Sequence, residues 1–175
     1  MKIITEKHGP ERKEFLKFLV FYALIPALAA YILFSSVIGL VCTRGSSMEP
    51  TLSDGAWAII LRICYTPKRG DIIVLKQPED EIIIIKRVIA VGGDEVFVNP
   101  QGGVYVNSER IEEPYLINHE PVYKYTLEPV EVSDGCVWVL GDNRNNSTDS
   151  RVIGEIPISN ILGKVIFTIT KGVKR

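Results

Sequence analysis

The sequence predicts a mainly β fold in which two antiparallel β-sheets form a sandwich or a partly closed barrel, preceded by one N-terminal transmembrane helix. Two patterns carry this prediction. Residues 18–43 contain no Asp, Glu, Lys or Arg, and the chain after them consists of short runs rich in Ile, Val and Thr. With 46% hydrophobic and 23% charged residues over 175 positions, the chain is too apolar to be disordered.

The uncharged window is long enough to cross a membrane. A helix over these 26 residues reaches roughly 39 Å, and the hydrocarbon core is about 30 Å thick. A buried helix is one alternative, but the rest of the chain is short for enclosing it. A cleaved signal peptide is another, because small residues occur at 27–30, yet the apolar stretch exceeds the roughly 7–15 residues of such a signal. We therefore predict a retained anchor over residues 18–42.

The charges beside the window predict its orientation. Basic residues are denser before the window than just after it, and positive flanks stay in the cytoplasm. The chain is thus expected to be a single-pass protein of the cell membrane, with residues 1–17 cytoplasmic and residues 43–175 forming an extracytoplasmic β domain. The basic residues are Lys2, Lys7, Arg12, Lys13 and Lys17 before the window, and Arg44 and Arg62 after it.

Seven apolar runs are the predicted strands of the β domain. Turn-forming residues separate them, and no long helical period intervenes, which favours antiparallel pairing. One-turn helices near 112–116 or 157–161 remain compatible with the pattern. The predicted strands are 56–63, 71–76, 82–91, 95–98, 104–107, 136–140 and 161–170.

Charge and ligand content exclude several classes of function. The net charge of −1 does not fit a polybasic nucleic-acid binder. The three cysteines lack CxxC spacing, and there are only two histidines, so neither a zinc site nor a disulfide framework is indicated. We expect no metal and no cofactor.

A serine cluster and a lysine are the first chemical candidates. Ser46 and Ser47 lie in Gly-Ser-Ser-Met-Glu-Pro-Thr-Leu at 45–52, and a serine becomes a nucleophile only when a base removes its proton. Lys86 follows four isoleucines, in a strand predicted to be buried on both faces, and burial lowers a lysine pKa as a base requires. The alternatives are a plain linker at 45–52 and a Lys86 that extends to water. His119, in a polar loop, is a weaker candidate base.

Two further clusters are less decisive on residue chemistry alone. The segment 141–151 is dense in polar groups and opposite charges, which is typical of either an exposed loop or a turn whose charges pair internally. The segment 68–74 is interpreted as a turn that opens a core strand.

Together these motifs resemble the bacterial type I signal peptidases, the membrane-bound serine proteases of the Ser–Lys class. The resemblance covers essentially the whole chain, and the order and spacing of several motifs make it specific. The motifs are the N-terminal anchor, Ser-Met-x-Pro-Thr-Leu at 47–52, Arg-Gly-Asp-Ile at 69–72, Lys-Arg-Val at 86–88, Gly-Asp at 93–94 and Gly-Asp-Asn-Arg-x-Asn-Ser-x-Asp-Ser-Arg at 141–151.

The resemblance implies a role for each matching residue. Ser47 corresponds to the nucleophile, Lys86 to the general base, and Ser147 to the hydroxyl that hydrogen-bonds and orients the lysine. Charged positions that hold the framework of the site correspond to Asp142, Arg144, Asp149 and Arg151. The apolar lining that receives small substrate side chains corresponds to Met48, Leu52, Ile84 and Ile85.

The implied activity is removal of signal peptides from secretory preproteins after small residues, by a monomer in contact with membrane lipid. One departure concerns the oxyanion hole, because Gly45 stands where some relatives have a serine. Ala90 and Gly92 also replace the usual Gly and Pro, so a different local turn is expected. The alternative functions are a self-cleaving Ser–Lys peptidase and a membrane-tethered β domain that binds a partner without catalysis.

Overall fold

The structure is a computed structural model that describes residues 9–63, 65–80, 82–116 and 127–169. The chain divides into two compact units, with the boundary between Val37 and Ile38. The two histidines and Cys64 lie outside the described residues, so the prediction about His119 has no structural counterpart.

The N-terminal unit is helical. Helix α1 (Gly9–Leu19) continues through a π-helical turn (Val20–Leu24) into α2 (Ile25–Val37). Pro26 explains the turn, because proline lacks the N–H that an α-helix needs at that position. The helical stretch Arg12–Val37 is long enough to cross a membrane, and an 18-residue window within it has a mean hydropathy of 2.2 and no buried residue. The alternative of a buried core helix is therefore wrong.

The helix ends five residues earlier than predicted. Residues 38–42, which we expected to complete the anchor, form strand β1 (Ile38–Cys42) and pair antiparallel with β2 (Trp57–Leu61). The sequence Ile-Gly-Leu-Val-Cys is a weak helix former, and the strand gains a full ladder of backbone hydrogen bonds. An uncharged window does not distinguish the end of an anchor from an apolar strand.

Eleven strands form two antiparallel sheets among the described residues. The larger sheet has the order β1-β2-β11-β3-β4-β9-β10, and the smaller one has the order β7-β6-β5-β8. This arrangement confirms the predicted mainly β fold with two antiparallel sheets. The strands after β2 are β3 (Ile72–Lys76), β4 (Ile83–Val91), β5 (Glu95–Val98), β6 (Val104–Val106), β7 (Glu109–Arg110), β8 (Leu127–Glu131), β9 (Cys136–Leu140), β10 (Ile156–Pro157) and β11 (Ile161–Ile169).

All seven predicted strands are present, with ends that differ by at most two residues over the described positions. Four strands were not predicted. Strand β1 lies inside the uncharged window, β7 and β10 have two residues each, and β8 contains Pro129. A 3-10 turn at Ile158–Asn160 confirms one expected short helix, whereas residues 114–115 form only a turn.

A four-residue helix, α3 (Ser150–Ile153), was also not predicted. Asp149 caps it by accepting a hydrogen bond from the Arg151 backbone N–H. Asp149, a residue type preferred at helix N-caps, is the one feature of the sequence that indicates the start of this short helix.

Strand β9 forms the centre of the hydrophobic core. Trp138 and Leu140 pack into one cluster with residues of the smaller sheet, such as Val96. Val137 and Val139 point the other way, into a second cluster that includes Ile73. Because both faces of β9 are covered, its neighbour β4 is also held between apolar layers beyond Lys86.

The start of β4 differs from our expectation. We predicted that the isoleucine run is buried on both faces, but Ile82 and Ile83 are 54% and 58% exposed. Strand β9 pairs with β4 only from Arg87 onward, so the first residues of β4 have a paired neighbour on the β3 side alone. Burial of β4 therefore begins near Lys86.

Candidate active site

Ser47 lies in a tight turn between β1 and β2. The Glu49 N–H donates to Ser46 O (3.1 Å) and the Leu52 N–H donates to Met48 O (2.9 Å). The Gly45 N–H donates to Asp54 Oδ1 at 2.8 Å. These bonds hold the peptide groups on both sides of Ser47, so the segment is an ordered turn and not the plain linker that we considered.

Lys86 reaches Ser47 from the middle of the larger sheet. The two side-chain atoms, Lys86 Nζ and Ser47 Oγ, are 2.9 Å apart, and Nζ also donates to Ile85 O at 3.0 Å. Lys86 is only 2% exposed. The alternative in which this lysine extends into solvent is therefore wrong.

Burial lowers the pKa of Lys86 to about 8, because the buried ammonium loses its hydration. The carboxylates of Asp149 and Asp142 act in the opposite direction, and Arg151 lowers the pKa further. Desolvation is the largest effect. A substantial fraction of Lys86 is consequently a neutral amine at mildly alkaline pH, in contact with a serine hydroxyl.

The segment 141–151 closes the other side of the turn that contains Ser47. The Asn143 N–H donates to Ser47 O at 3.0 Å, and Asn146 Nδ2 donates to Ser46 Oγ at 2.7 Å. A methyl group at Gly141 would lie 2.6 Å from both Ser47 O and Ser147 Cβ. Glycine is therefore required at 141 by close approach to the turn.

The four predicted framework charges are all buried or nearly so, but they pair in two different ways. Asp149 and Arg151 pair within the segment, with Nε–Oδ1 and Nη2–Oδ2 distances of 2.8 Å, and Asp149 also accepts from the Gly141 N–H at 2.9 Å. Asp142 and Arg144 instead pair with residues from other parts of the chain. The interpretation of a turn whose charges pair internally is correct for only one of the two pairs.

Arg87 is the partner of Asp142. Its Nε and Nη2 donate to the two carboxylate oxygens at 2.8 and 2.6 Å, and Thr51 Oγ1 also donates to Asp142. We did not predict this role for Arg87, although it is adjacent to Lys86 in the Lys-Arg-Val motif. The pair joins strand β4, the turn that contains Ser47 and the segment 141–151.

Glu113 is the partner of Arg144. The Arg144 guanidinium donates to both Glu113 oxygens, one of them at 3.1 Å, and its Nε donates to Gly141 O at 3.0 Å. Their side chains are 3% and 9% exposed. No motif that we identified includes Glu113.

Ser147 does not make the hydrogen bond that the family resemblance implied. Its Oγ is buried and has no hydrogen-bond partner among the described residues. Lys86 Nζ donates to Ile85 O instead. Ser147 lies directly beside Gly141, next to the turn that carries Ser47.

A cleft of about 440 Å³ opens beside Ser47 and Lys86. Strands β1 and β4 face each other across it although three strands separate them in the sheet order, so the sheet must curl. All four predicted pocket residues contribute to its lining. The lining residues are Val41, Cys42, Thr43, Arg44, Gly45, Ser47, Met48, Leu52, Ile83, Ile84, Ile85 and Lys86.

A sequence model of the family described as signal peptidase, peptidase S26, matches residues 12–170. The chain belongs to this family. It is 45% identical over 128 residues to probable signal peptidase I-2 of Synechocystis, an alignment that covers 68% of this chain and 57% of that protein. It is 38% identical over 138 residues to signal peptidase I of Bacillus caldolyticus, covering 71% and 75% of the two chains.

The fold is also similar to a crystal structure of a signal peptidase I from Enterococcus faecalis. The TM-score is 0.51 at 27% sequence identity, and the match covers 58% of this chain and 97% of that chain. The chain spans 57% and 65% of the length of the two Synechocystis relatives that it matches.

The close approach at Gly141 leads to a first prediction. Gly141→Ala is expected to displace Ser47 or Ser147 and to reduce peptide cleavage about 100-fold, because small misplacements of reacting groups have effects of that size. Gly103→Ala is the matched control, since the nearest atoms there are side-chain ends at 3.3 Å. Cleavage rates and circular dichroism of both variants test this. Full activity of Gly141→Ala would show that the turn tolerates the methyl group.

Proposed function

We propose that the chain is a membrane-bound serine endopeptidase that removes N-terminal signal peptides from secretory preproteins after small residues. The observation that carries the proposal is the 2.9 Å contact between Ser47 Oγ and the buried amine of Lys86, at the edge of an apolar cleft. Membership of the signal peptidase family supports the choice of substrate.

In the first half-reaction, neutral Lys86 removes the Ser47 proton while Oγ attacks the carbonyl carbon of the scissile bond. The tetrahedral intermediate collapses when the leaving amine takes that proton from Lys86. The C–N bond breaks, the mature protein leaves, and the signal peptide remains as an ester on Ser47. The lowered pKa of Lys86 matters because an ammonium group cannot accept the proton.

In the second half-reaction, Lys86 takes a proton from a water molecule as the water oxygen attacks the ester carbon. The bond between that carbon and Ser47 Oγ then breaks, protonated Lys86 returns a proton to Oγ, and the signal peptide leaves with a new C-terminal carboxyl group. We assign Ser147 to the positioning of the lysine amine during these transfers. Its buried, unpartnered hydroxyl beside Gly141 is available for such a bond. The oxyanion donor is the Ser47 N–H, since Gly45 has no side-chain hydroxyl and its own N–H is bonded to Asp54.

The substrate lies as an extended segment along the open edge of β4. Residues 83–86 pair with β3 on one side, and the register with β9 starts only at Arg87. Added strands bind through such free backbone groups, while pockets select the alternate side chains. Met48, Leu52, Ile84 and Ile85 supply the apolar lining, which has room for small side chains next to Ser47.

The apolar helix that ends at Val37 is the membrane anchor in this proposal. Residues 1–17 are cytoplasmic, and the β domain lies outside the cytoplasm, in contact with lipid. The excess of basic residues before the helix supports this orientation.

The assignment of Ser47 as the nucleophile is tested by substituting two adjacent serines in turn. Ser47→Ala removes Oγ and is expected to abolish cleavage of a model preprotein in detergent. Ser46→Ala is the matched control, because it removes only an exposed hydrogen bond from Asn146, a change expected to reduce the rate no more than about fivefold. Equal activity of Ser47→Ala and the wild type would refute the assignment.

The assignment of Lys86 as the general base is tested by the pH dependence of cleavage. Cleavage requires neutral Lys86, so kcat/KM is expected to rise about tenfold per pH unit below pH 8 and to level off above the Lys86 pKa of about 8. Lys86→Met lacks the amine, and Lys86→Arg carries a group that does not deprotonate in proteins. Both variants should fold and be nearly inactive from pH 6 to 10.

Lys68→Arg, at an exposed turn, is the control and should retain the wild-type profile. Ser147→Ala should reduce the rate about fivefold, as expected for the loss of one orienting hydrogen bond. Near wild-type cleavage by Lys86→Met would mean that another group is the base.

The orientation is tested by protease protection. In sealed vesicles with the cytoplasmic face outward, an added protease should remove only the first 17 or so residues. The β domain should become sensitive after the vesicles are opened with detergent. Digestion of the β domain in intact vesicles would reverse the proposed orientation.

A further inference from the structure

We propose that Glu113 and Tyr115 are positioning residues that together hold two arginines, the half-buried Arg87 and the buried Arg144, against the segment 141–151. The effect of these residues on catalysis rests on the proposed function. Neither residue lines the cleft beside Ser47, and neither lies in any motif that carries the family resemblance. We name the pair Glu113 and Tyr115, which holds the two arginines, the arginine clamp.

Tyr115 holds Arg87. The centre of the Arg87 guanidinium lies 3.9 Å from the centroid of the Tyr115 ring, a distance typical of a cation–π contact. The edge of the same guanidinium donates to both oxygens of Asp142, and Nη1 donates to Gly70 O at 2.9 Å. The ring therefore covers one face of the Arg87 guanidinium, while the hydrogen bonds lie along its edges.

Glu113 holds Arg144, which in turn reaches the glycine that contacts the nucleophile turn. Arg144 binds both Glu113 oxygens and, through Nε, the Gly141 carbonyl. Gly141 and Asp142 are adjacent, so the two arginines hydrogen-bond to neighbouring residues of the same segment. A shift of either arginine would move the wall against which Ser47 and Ser147 pack.

The two halves of the clamp are linked to each other. Tyr115 Oη donates to Glu113 Oε1 at 2.8 Å. Burial and the negative charge of Glu113 raise the pKa of Tyr115 above its ordinary value, while Arg144 and Arg87 lower it. The hydroxyl therefore stays protonated and keeps donating throughout the working range of the enzyme. Glu113 and Tyr115 thus behave as one unit.

The clamp has an electrostatic consequence at the base. Lys86 is faced by Asp149 and Asp142, which raise its pKa, and by Arg151, which lowers it. Arg87, the next residue in the strand, neutralises Asp142 at close range. If Arg87 loses the contact with the Tyr115 ring, its bidentate ion pair with Asp142 is weakened. The negative charge of Asp142 is then less neutralised and acts more strongly on Lys86. The ammonium form of Lys86 is then favoured.

Tyr115→Leu removes the ring and the hydroxyl. The acid limb of the kcat/KM profile is expected to move to higher pH by about half a unit to one unit, which corresponds to a roughly three- to tenfold loss at pH 7. Activity above pH 10 should return to within about twofold of the wild type. Tyr115→Phe keeps the ring and should show a smaller shift.

Tyr105→Leu is the matched control, because Tyr105 packs on Phe97 in the smaller sheet and contacts neither arginine in the described structure. Glu113→Gln should lower kcat severalfold and leave KM within about twofold, since Glu113 is outside the cleft. Glu112→Gln, at an exposed neighbour, should change neither constant.

A second readout does not depend on cleavage. The rate at which an amine-reactive reagent labels Lys86, measured across pH by peptide mass spectrometry, reports the lysine pKa directly, and Tyr115→Leu should move that curve in the same direction. Unchanged labelling curves and pH profiles in Tyr115→Leu, with only a lower melting temperature, would overturn the clamp. Absence of preprotein cleavage by the wild type would count against the proposed function, and the labelling curves would still decide the clamp.

Discussion

The placement of one lysine amine out of contact with water is the constraint on which the rest of the site depends. Lys86 is 2% exposed and still touches Ser47 Oγ. A lysine at this depth needs apolar neighbours that a single sheet face does not supply. The strand beside β4, β9, is covered on both faces, so the centre of the domain lies directly next to the base.

Both carboxylates that raise the pKa of Lys86 are paired with arginines, whereas desolvation, the largest effect, lowers that pKa. Asp142 binds Arg87, and Asp149 binds Arg151, with both aspartate side chains fully buried. The same carboxylates without their arginine partners would favour the ammonium form of Lys86 more strongly. The framework charges therefore have two effects: they fix the segment 141–151, and they limit the field that this segment exerts on the base.

The sequence predicted most of the β structure and the position of Lys86, but part of the reasoning did not hold. The isoleucines before Lys86 suggested burial on both faces, whereas Ile82 and Ile83 are exposed at the start of β4. Of these two, Ile83 lines the cleft beside Ser47 and does not belong to the core. Glu113 was not predictable, because its bond to Arg144 joins residues 31 positions apart and neither local pattern nor propensity encodes such a contact. Strand β1 was hidden because an anchor and an apolar strand share the same composition.

The residues around Ser47 also lower the stability of the folded domain. A buried amine and the unpartnered hydroxyl of Ser147 both oppose folding, and a buried hydroxyl without a bond costs about 1–3 kcal/mol. Ser147 lies beside Gly141, and Lys86 contacts Ser47, whose carbonyl oxygen accepts a hydrogen bond from the Asn143 N–H. The surrounding core, with Ile73, Leu75 and Val139 fully buried, offsets this loss. One buried hydroxyl is thus left without a hydrogen-bond partner, among the described residues, close to the contact between Ser47 and Lys86.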